Sequence, residues 1–337
     1  MKAYQLGPQD GLGSLKLTDV PKPDVLPGTV LVRVRKVCMN HRDVRILFGE
    51  YGPRKSETRI PNSEGIGEVA ELGEGVSGLA LGDRVICQHF VNWIRGAFSQ
   101  QIFARDVGVS EDGWLAEYIR IPAEALVKIP DTLTDEQAAP LSASCLTAWN
   151  AVVEFGKVKA GDRVLTLGTG GVSIFALQLA KMHGAKVCIT SSSDEKLEKA
   201  REMGADVTIN YRSTPDWGTA AYEALGGGAD IVVETGGQAT LSQSIAGAAA
   251  NGRIGIIGAL GGAAEGGLPN FGTIIGKHLN LTGIATGSRE MLADLVEAAA
   301  TNNLMPLVDK TFSFDETPEA YAYLDKGGHM GKVMIDL

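Results

Sequence analysis

Short apolar runs, closed by glycine or by polar turns, recur along this chain, and what separates them changes once. Before about residue 125 the runs alternate apolar and polar positions, at 30–37, 66–72, 83–86 and 117–121, with glycine and proline between them. Period-two alternation turns one face of a strand inward, and strands spaced this way predict a partly open β-barrel. Pro122 and Pro130 flank a short strand at 125–129 that leads out of it. Helical character begins near Thr134, which can cap a helix together with Gln137 three residues on. From Val164 onward strands and helices alternate. The run VLTL enters the turn Gly168-Thr169-Gly170-Gly171, and an amphipathic stretch at 174–183 follows. From Lys186 the chain reads strand, polar turn, helix with Leu197 and Met203 inward, and strand again; 230–237 and 253–258 are further apolar strands closed by glycine. That order is what a doubly wound parallel sheet requires. A helix at 289–300 and a strand at 331–335 end the chain and are expected to return to the first domain.

The glycine turn carries the first candidate chemistry. Strand, tight turn and helix in succession suit a dinucleotide pyrophosphate: Gly168 permits the turn, and Gly170 lets backbone N–H groups approach the phosphates. The helix start at Gly171 and Val172 adds positive potential. Ser173 stands where the G-x-G-x-x-G fingerprint has its third glycine, so the surrounding βαβ pattern carries the reading. The second strand ends Thr190-Ser191-Ser192-Ser193, with no carboxylate before Asp194. An acid there would accept from a ribose 2′-OH; hydroxyls at Ser191 and Ser192, with Lys196 one helical turn on and Tyr211 and Arg212 after the next strand, suit a 2′-phosphate instead. NADP(H) is therefore expected over NAD(H), although the serines serve equally well as a helix cap. Thr235 and Gly236, and Gly258 to Leu260, follow later strands and are expected at the nicotinamide end. The expected dinucleotide-binding domain spans 126–275, and the substrate domain 1–125 with 276–337.

Composition narrows the rest. With 44% hydrophobic and 21% charged residues over 337 positions, a two-domain globular enzyme is expected. The formal charge of −9 argues against nucleic acid or an anionic membrane as a partner. The opening MKAYQLGPQD lacks a signal-peptide apolar core and no apolar run is long enough to span a bilayer, so a cytoplasmic protein is expected. Cys38, Cys87, Cys145 and Cys188 form no C-x-x-C pair, which excludes a disulfide framework and a four-cysteine zinc lobe.

Several segments together resemble the medium-chain dehydrogenase/reductase superfamily over nearly the whole chain. They are the KAY opening, Asn40-His41-Arg42-Asp43, Asn62-Ser63-Glu64-Gly65-Ile66-Gly67-Glu68-Val69, Leu81-Gly82-Asp83-Arg84-Val85, Leu146-Thr147-Ala148-Trp149, the GTGGVS turn and Gly331-Lys332-Val333. Within it the chain is most similar to the zinc-lacking branch of quinone oxidoreductases and enoyl reductases. The resemblance implies a GroES-like barrel domain beside a Rossmann domain. It also implies no catalytic zinc, because the three ligand positions carry Asn40, Ser63 and Ala143, with Cys38 and Cys145 each two residues away from one of them. Without a Lewis acid the acceptor must spread its own charge, which points to hydride transfer to a quinone or an α,β-unsaturated carbonyl.

Asn40 is then expected to hydrogen-bond cofactor or substrate, Thr147 to lie near the nicotinamide ribose, and His41 to be a candidate proton donor. Each also has a plain structural reading, as a turn or helix residue. Asp43 is expected to pair with Arg42 or Arg45, Glu64 to pack near Lys332 or an arginine, and Lys332 to reach a cofactor phosphate. The aromatic segment 88–114 could wall a substrate pocket, form a satellite core or meet another subunit. The apolar edge near 279–283 is expected to pair with its copy in a homodimer. Two other functions stay open: a metal-independent alcohol dehydrogenase acting on activated or aryl secondary alcohols with His41 as base, and a redox-inactive NADP-binding protein of the crystallin type.

Overall fold

A computed structural model describes residues 1–52, 57–259 and 269–337. The chain divides into two compact units, Met1–Leu146 with Gly287–Leu337, and Thr147–Thr286. The first contains β1 (Lys2–Leu6), β2 (Leu15–Asp19), β3 (Thr29–Met39), β4 (Gly65–Leu72), β5 (Arg84–Cys87), β6 (Tyr118–Pro122) and β7 (Leu126–Lys128). The second contains β8 (Arg163–Thr166), β9 (Lys186–Ser191), β10 (Val207–Asn210), β11 (Ala229–Glu234), β12 (Ala248–Ile256) and β13 (Asn280–Gly283). The chain then returns to the first unit with β14 (Val308–Ser313) and β15 (Lys332–Asp336).

In the first unit β1 and β2 pair antiparallel, and the main sheet runs β14-β15-β3-β4-β5-β7, with β6 also paired to β3. The spine is β3, whose alternating Val30, Val32 and Val34 point into the core formed with Val85, Ile119 and Trp114. Register shifts in its pairing with β4, at Leu31/Val32 and Val34/Lys36, bend the strand. Bends of that kind curl a sheet toward a barrel. The alternation in the sequence therefore had the right consequence.

All six strands of the second unit run parallel, in the order β10-β9-β8-β11-β12-β13. The strand order reverses between β8 and β11, and ligands of open α/β sheets bind beyond the strand ends at such a point. Helix Gly171–Met182 packs on β8 and β9, so these strands are covered and read as near-continuous apolar runs.

Both expected domain limits lie elsewhere. Residues after 125 stay in the first unit because β7 pairs antiparallel with β5, and because Asp135 bonds Arg84 at 3.0 Å and Arg35 at 2.7 Å. The second limit moves past 275 because β13 extends the parallel sheet beside β12. Strands β2 and β14 escaped the sequence reading: each buries one residue, Leu15 and Phe312, and a strand lying so open carries no alternation. Among the described residues no helix is long and apolar enough to cross a membrane.

Candidate active site

Strand β3 ends at Met39 and helix His41–Leu47 begins at once, with Asn40 as the hinge between them. The backbone N–H of Asn40 donates to Asp43 at 2.8 Å, which fixes the turn. Its side-chain amide bridges two charges: Nδ2 donates to Glu64 Oε2 at 2.8 Å, and Oδ1 accepts from Lys332 Nζ at 2.7 Å. Lys332, which opens β15, also donates to the carbonyl of Met39 at 2.8 Å and to Glu64 Oε2 at 3.3 Å. The other oxygen of Glu64 accepts the backbone N–H of Ala143 at 2.6 Å.

This cluster is dry, with side-chain exposures of 3% for Lys332 and 0% for Glu64. Burial alone would lower the pKa of the ammonium; the Cys38 thiol and the Glu64 carboxylate outweigh it and hold Lys332 above its ordinary value. Burial also pushes the Cys38 thiol up. Glu64 does lie beside Lys332. The expected reach of Lys332 to a cofactor phosphate is corrected: its three N–H donors are all spent on Met39, Asn40 and Glu64.

The expected ion pair of Asp43 is likewise replaced. Asp43 is buried, accepts from Asn40 N and from Ser63 Oγ at 3.0 Å, and burial pushes its carboxyl up to about 6 against the pull of Arg42. Arg42 pairs instead with Asp106 at 2.6 Å, and Arg45 with Glu50 at 2.7 Å and Asp325 at 2.9 Å. His41 is exposed, and its neighbours lower the imidazole pKa, by desolvation first and by the Arg45 charge second. A ring so lowered is neutral at pH 7, which suits a base better than a proton donor. In the aromatic segment Phe90, Trp93 and Trp114 are buried, whereas Phe98 and Phe103 are each 50% exposed. Edge-to-face contacts join Phe90 to Phe103, Phe103 to Phe98 and Phe98 to Trp93.

The second unit gathers the nucleotide candidates at the C-terminal ends of its strands. Gly168 has a φ of +73°, a conformation that favours glycine, and a Cβ there or at Gly170 would meet nothing within 4 Å. Helix Gly171–Met182 starts with no side-chain cap on its first N–H groups; Thr169 is buried, and Gly170, Gly171 and Val172 are half-buried. These residues fit a pyrophosphate. Ser173, at the third fingerprint position, donates its hydroxyl to Leu167 O and ties the helix to the strand. Gly168 N donates to Thr190 Oγ1 at 3.3 Å, which joins the turn to the end of β9.

Ser191 is buried and its hydroxyl accepts from Ser193 N at 3.3 Å, while Ser193 caps the next helix; Ser192 and Lys196 are half-buried and Tyr211 is exposed. The backbone of Tyr211 donates to Ser191 O at 3.0 Å, so the ends of β9 and β10 stay adjacent. Thr235 donates to Leu167 O at 2.8 Å, and Gly258 packs so closely on the 235–237 turn that a Cβ would sit 2.2 Å from Thr235 O. Gly236 belongs to the same turn, and Leu260 lies outside the described residues. Thr147 is the first residue of this unit and is buried.

One buried carboxylate escaped the sequence reading. Glu234, fully buried at the end of β11, accepts from Gly236 N at 2.7 Å, Gly237 N at 2.9 Å, Thr240 Oγ1 at 2.6 Å and the Ser244 hydroxyl. The available signal was an acid ending an apolar strand just before Thr-Gly-Gly.

A curled β-sheet unit and a parallel α/β unit with a phosphate-ready glycine turn together define a dinucleotide-dependent oxidoreductase. Residues 26–131 match the alcohol dehydrogenase GroES-like domain, and residues 171–301 match the zinc-binding dehydrogenase family. The chain belongs to the medium-chain dehydrogenase/reductase superfamily. It is 42% identical to a zinc-type alcohol dehydrogenase-like protein of Schizosaccharomyces pombe, over 97% of this chain and 96% of that one. It is 29% identical to an acryloyl-coenzyme A reductase of Sulfurisphaera tokodaii, over 99% of each. Among solved structures, an NAD-dependent alcohol dehydrogenase superposes with a TM-score of 0.90 at 31% identity, covering all of both chains. A mycobacterial protein complexed with NADPH does so with a TM-score of 0.83 at 25% identity, again over all of both chains.

The zinc in the family's description does not fit these residues. The resemblance puts Asn40, Ser63 and Ala143 at the ligand positions, and the hydroxyl of Ser63 is given to Asp43. An ammonium is bonded to Asn40 and Glu64 beside them. Burial pushes both nearby thiols, Cys38 and Cys145, away from the thiolate a metal needs. Among the described residues no three His, Cys, Asp or Glu side chains converge as a metal site.

Proposed function

We propose that this protein is a zinc-independent, NADPH-dependent reductase of quinones or α,β-unsaturated carbonyl compounds. The observation that carries the reading is the Lys332 ammonium lodged against Asn40 and Glu64, where the resemblance puts the metal. A plain ketone would then lack the several kcal/mol of Lewis-acid stabilisation its developing alkoxide needs, whereas a conjugated acceptor spreads that charge over its own atoms. The acryloyl-coenzyme A reductase relative supports this substrate class, and the NADPH complex supports the cofactor.

The bound nucleotide supplies the hydride. Residues Gly168, Thr169, Gly170, Gly171 and Val172 hold its pyrophosphate, and Ser191, Ser192, Lys196 and Tyr211 take the 2′-phosphate. Thr235, Gly236 and Gly258 border the nicotinamide end, Thr147 serves the ribose, and Asn40 orients an oxygen of substrate or cofactor. Oxidation of NADPH, followed by its absorbance with a quinone, an enone and a simple ketone, tests the reading. Turnover of the first two is expected; turnover of the ketone alone overturns it, and silence with all three favours a redox-inactive binding protein.

A second reading, a metal-independent alcohol dehydrogenase, draws on the neutral imidazole of His41 as base and on the relatives named for that activity. Ketone turnover without enone turnover is its signature.

Ser191→Asp sets a carboxylate against the 2′-phosphate, and like charges brought together cost several kcal/mol. We expect NADPH to bind at least about tenfold more weakly while NADH does not; an unchanged NADPH affinity removes Ser191 from the phosphate site. Strand β13 lies at the edge of the parallel sheet, and Phe271 and Ile275, in the helix that precedes it in the chain, are 68% and 78% exposed. Paired edges of two copies would cover them, giving a homodimer. Light scattering should return twice the 35.5 kDa chain mass, and a monomer rejects the pairing.

A further inference from the structure

Asp194 is the first carboxylate after β9 and opens the helix Asp194–Glu202, three residues past Ser191. Its side chain is exposed, and its Oδ1 accepts from Asn210 Nδ2 at 2.7 Å. Asn210 ends β10 and is the register partner of Ser191, so the two backbones run side by side, about 4.8 Å apart. The other end of the same amide is spent as well. Asn210 Oδ1 accepts the backbone N–H of Arg212 at 3.0 Å, a turn in which the side chain bonds the residue two positions on. Arg212 N must meet an oxygen and the Asp194 carboxylate must meet a donor, so the amide has one orientation. The chain between the strands is also fixed: Ser193 N donates to Ser191 Oγ at 3.3 Å, and Lys196 N to Ser193 Oγ at 3.4 Å.

A carboxylate at this end of a dinucleotide-binding unit acts oppositely on the two nucleotides. It accepts from the ribose 2′-OH of NAD(H), and it repels the 2′-phosphate of NADP(H). We propose that Asn210 sets the nucleotide preference of this protein, by holding the Asp194 carboxylate toward β10 and away from Ser191 and Ser192. The inference rests on the 2′-phosphate lying at those serines, and adds the residue that lets an acid remain beside them. Released from Asn210, the carboxylate is free to turn toward the ribose, where it disfavours NADPH and favours NADH. Every group involved belongs to the second unit, so nucleotide binding without turnover reads the effect.

Asn210→Thr removes the donor and keeps the turn. Its hydroxyl is one bond short of the amide nitrogen, yet it can still accept from Arg212 N, and threonine suits a strand end. Fluorescence titration of NADPH and of NADH into the full chain measures both affinities. The variant should bind NADPH at least about fivefold more weakly, and NADH equally or more tightly. Adding Asp194→Asn should return NADPH affinity to within about twofold of the unaltered protein, because the charge is then gone. The loss in Asn210→Thr should shrink at about 1 M salt, where screening acts within about 3 Å. Unchanged NADPH affinity, an equal loss for NADH, a loss indifferent to salt, or no recovery in the double variant overturns the proposal. If Asn210→Thr does not fold, Asn210→Ser decides by the same criteria. Where Ser191→Asp weakens NADPH and Asn210→Thr does not, only the role of Asn210 falls. Where neither does, the 2′-phosphate does not lie at the serines, and the nucleotide assignment falls with it.

Discussion

Replacing Lys332 with methionine should lower the unfolding free energy by about 3–5 kcal/mol, the usual cost of removing one partner from a buried ion pair. Glu64 would be left without its cation in a place water does not reach, its side chain being fully buried. Asn40 and the Ala143 N–H would still donate to it, but two neutral donors do not offset the desolvation of a full charge. Urea denaturation at neutral pH measures the loss. The double variant Lys332→Met with Glu64→Gln should recover most of it, because the isolated charge is then gone. A loss below about 1 kcal/mol would mean the pair is solvated and would contradict the buried cluster. The exposed pair of Lys199 with Glu195, at 54% and 79%, is the internal control and should cost within about 0.5 kcal/mol when broken.

Glu234→Ala should cost a comparable amount, about 3–5 kcal/mol, by a different route. Here the carboxylate is the acceptor for two backbone N–H groups and two hydroxyls of the 235–244 segment. Bonds to a charged acceptor contribute roughly 1.5–3 kcal/mol each and do not add fully, and removal leaves buried donors unmet. Glu234→Gln should recover less than half, since its NH₂ would face donors. Because Thr235 and Gly236 stand at the expected nicotinamide end, nucleotide affinity should fall with stability. Faster hydrogen exchange at Gly236 and Gly237 would place the loosening in that turn. Unchanged exchange there would separate the stability loss from the turn.

Much of the second unit was legible because its signals are local. Strands covered on both faces read as apolar runs, and a glycine with positive φ at Gly168 is required by the turn itself. The open edge at 280–283 was legible for the same reason, and β13 is that edge. The polar chemistry of the first unit was less so. Asp43 stood next to two arginines in sequence, yet a short helix turns Arg42 toward Asp106 and Arg45 toward Asp325. Lys332 was expected to reach a cofactor phosphate, and nothing near it in sequence showed that its strand would pair with β3.

From the sequence alone followed the parallel nucleotide sheet, the barrel-like first unit, the family, and the absence of metal-ligating residue types at Asn40, Ser63 and Ala143. These depend on periodicity, turn chemistry and residue identity, which act over a few positions at a time. Only the tertiary structure decided that Lys332 spends its donors on Met39, Asn40 and Glu64 in a dry cluster, and that Arg42 pairs with Asp106. Such pairings are set by which strands lie side by side and by what water can no longer reach. Both are properties of the assembled sheet, so no short stretch of chain contains them.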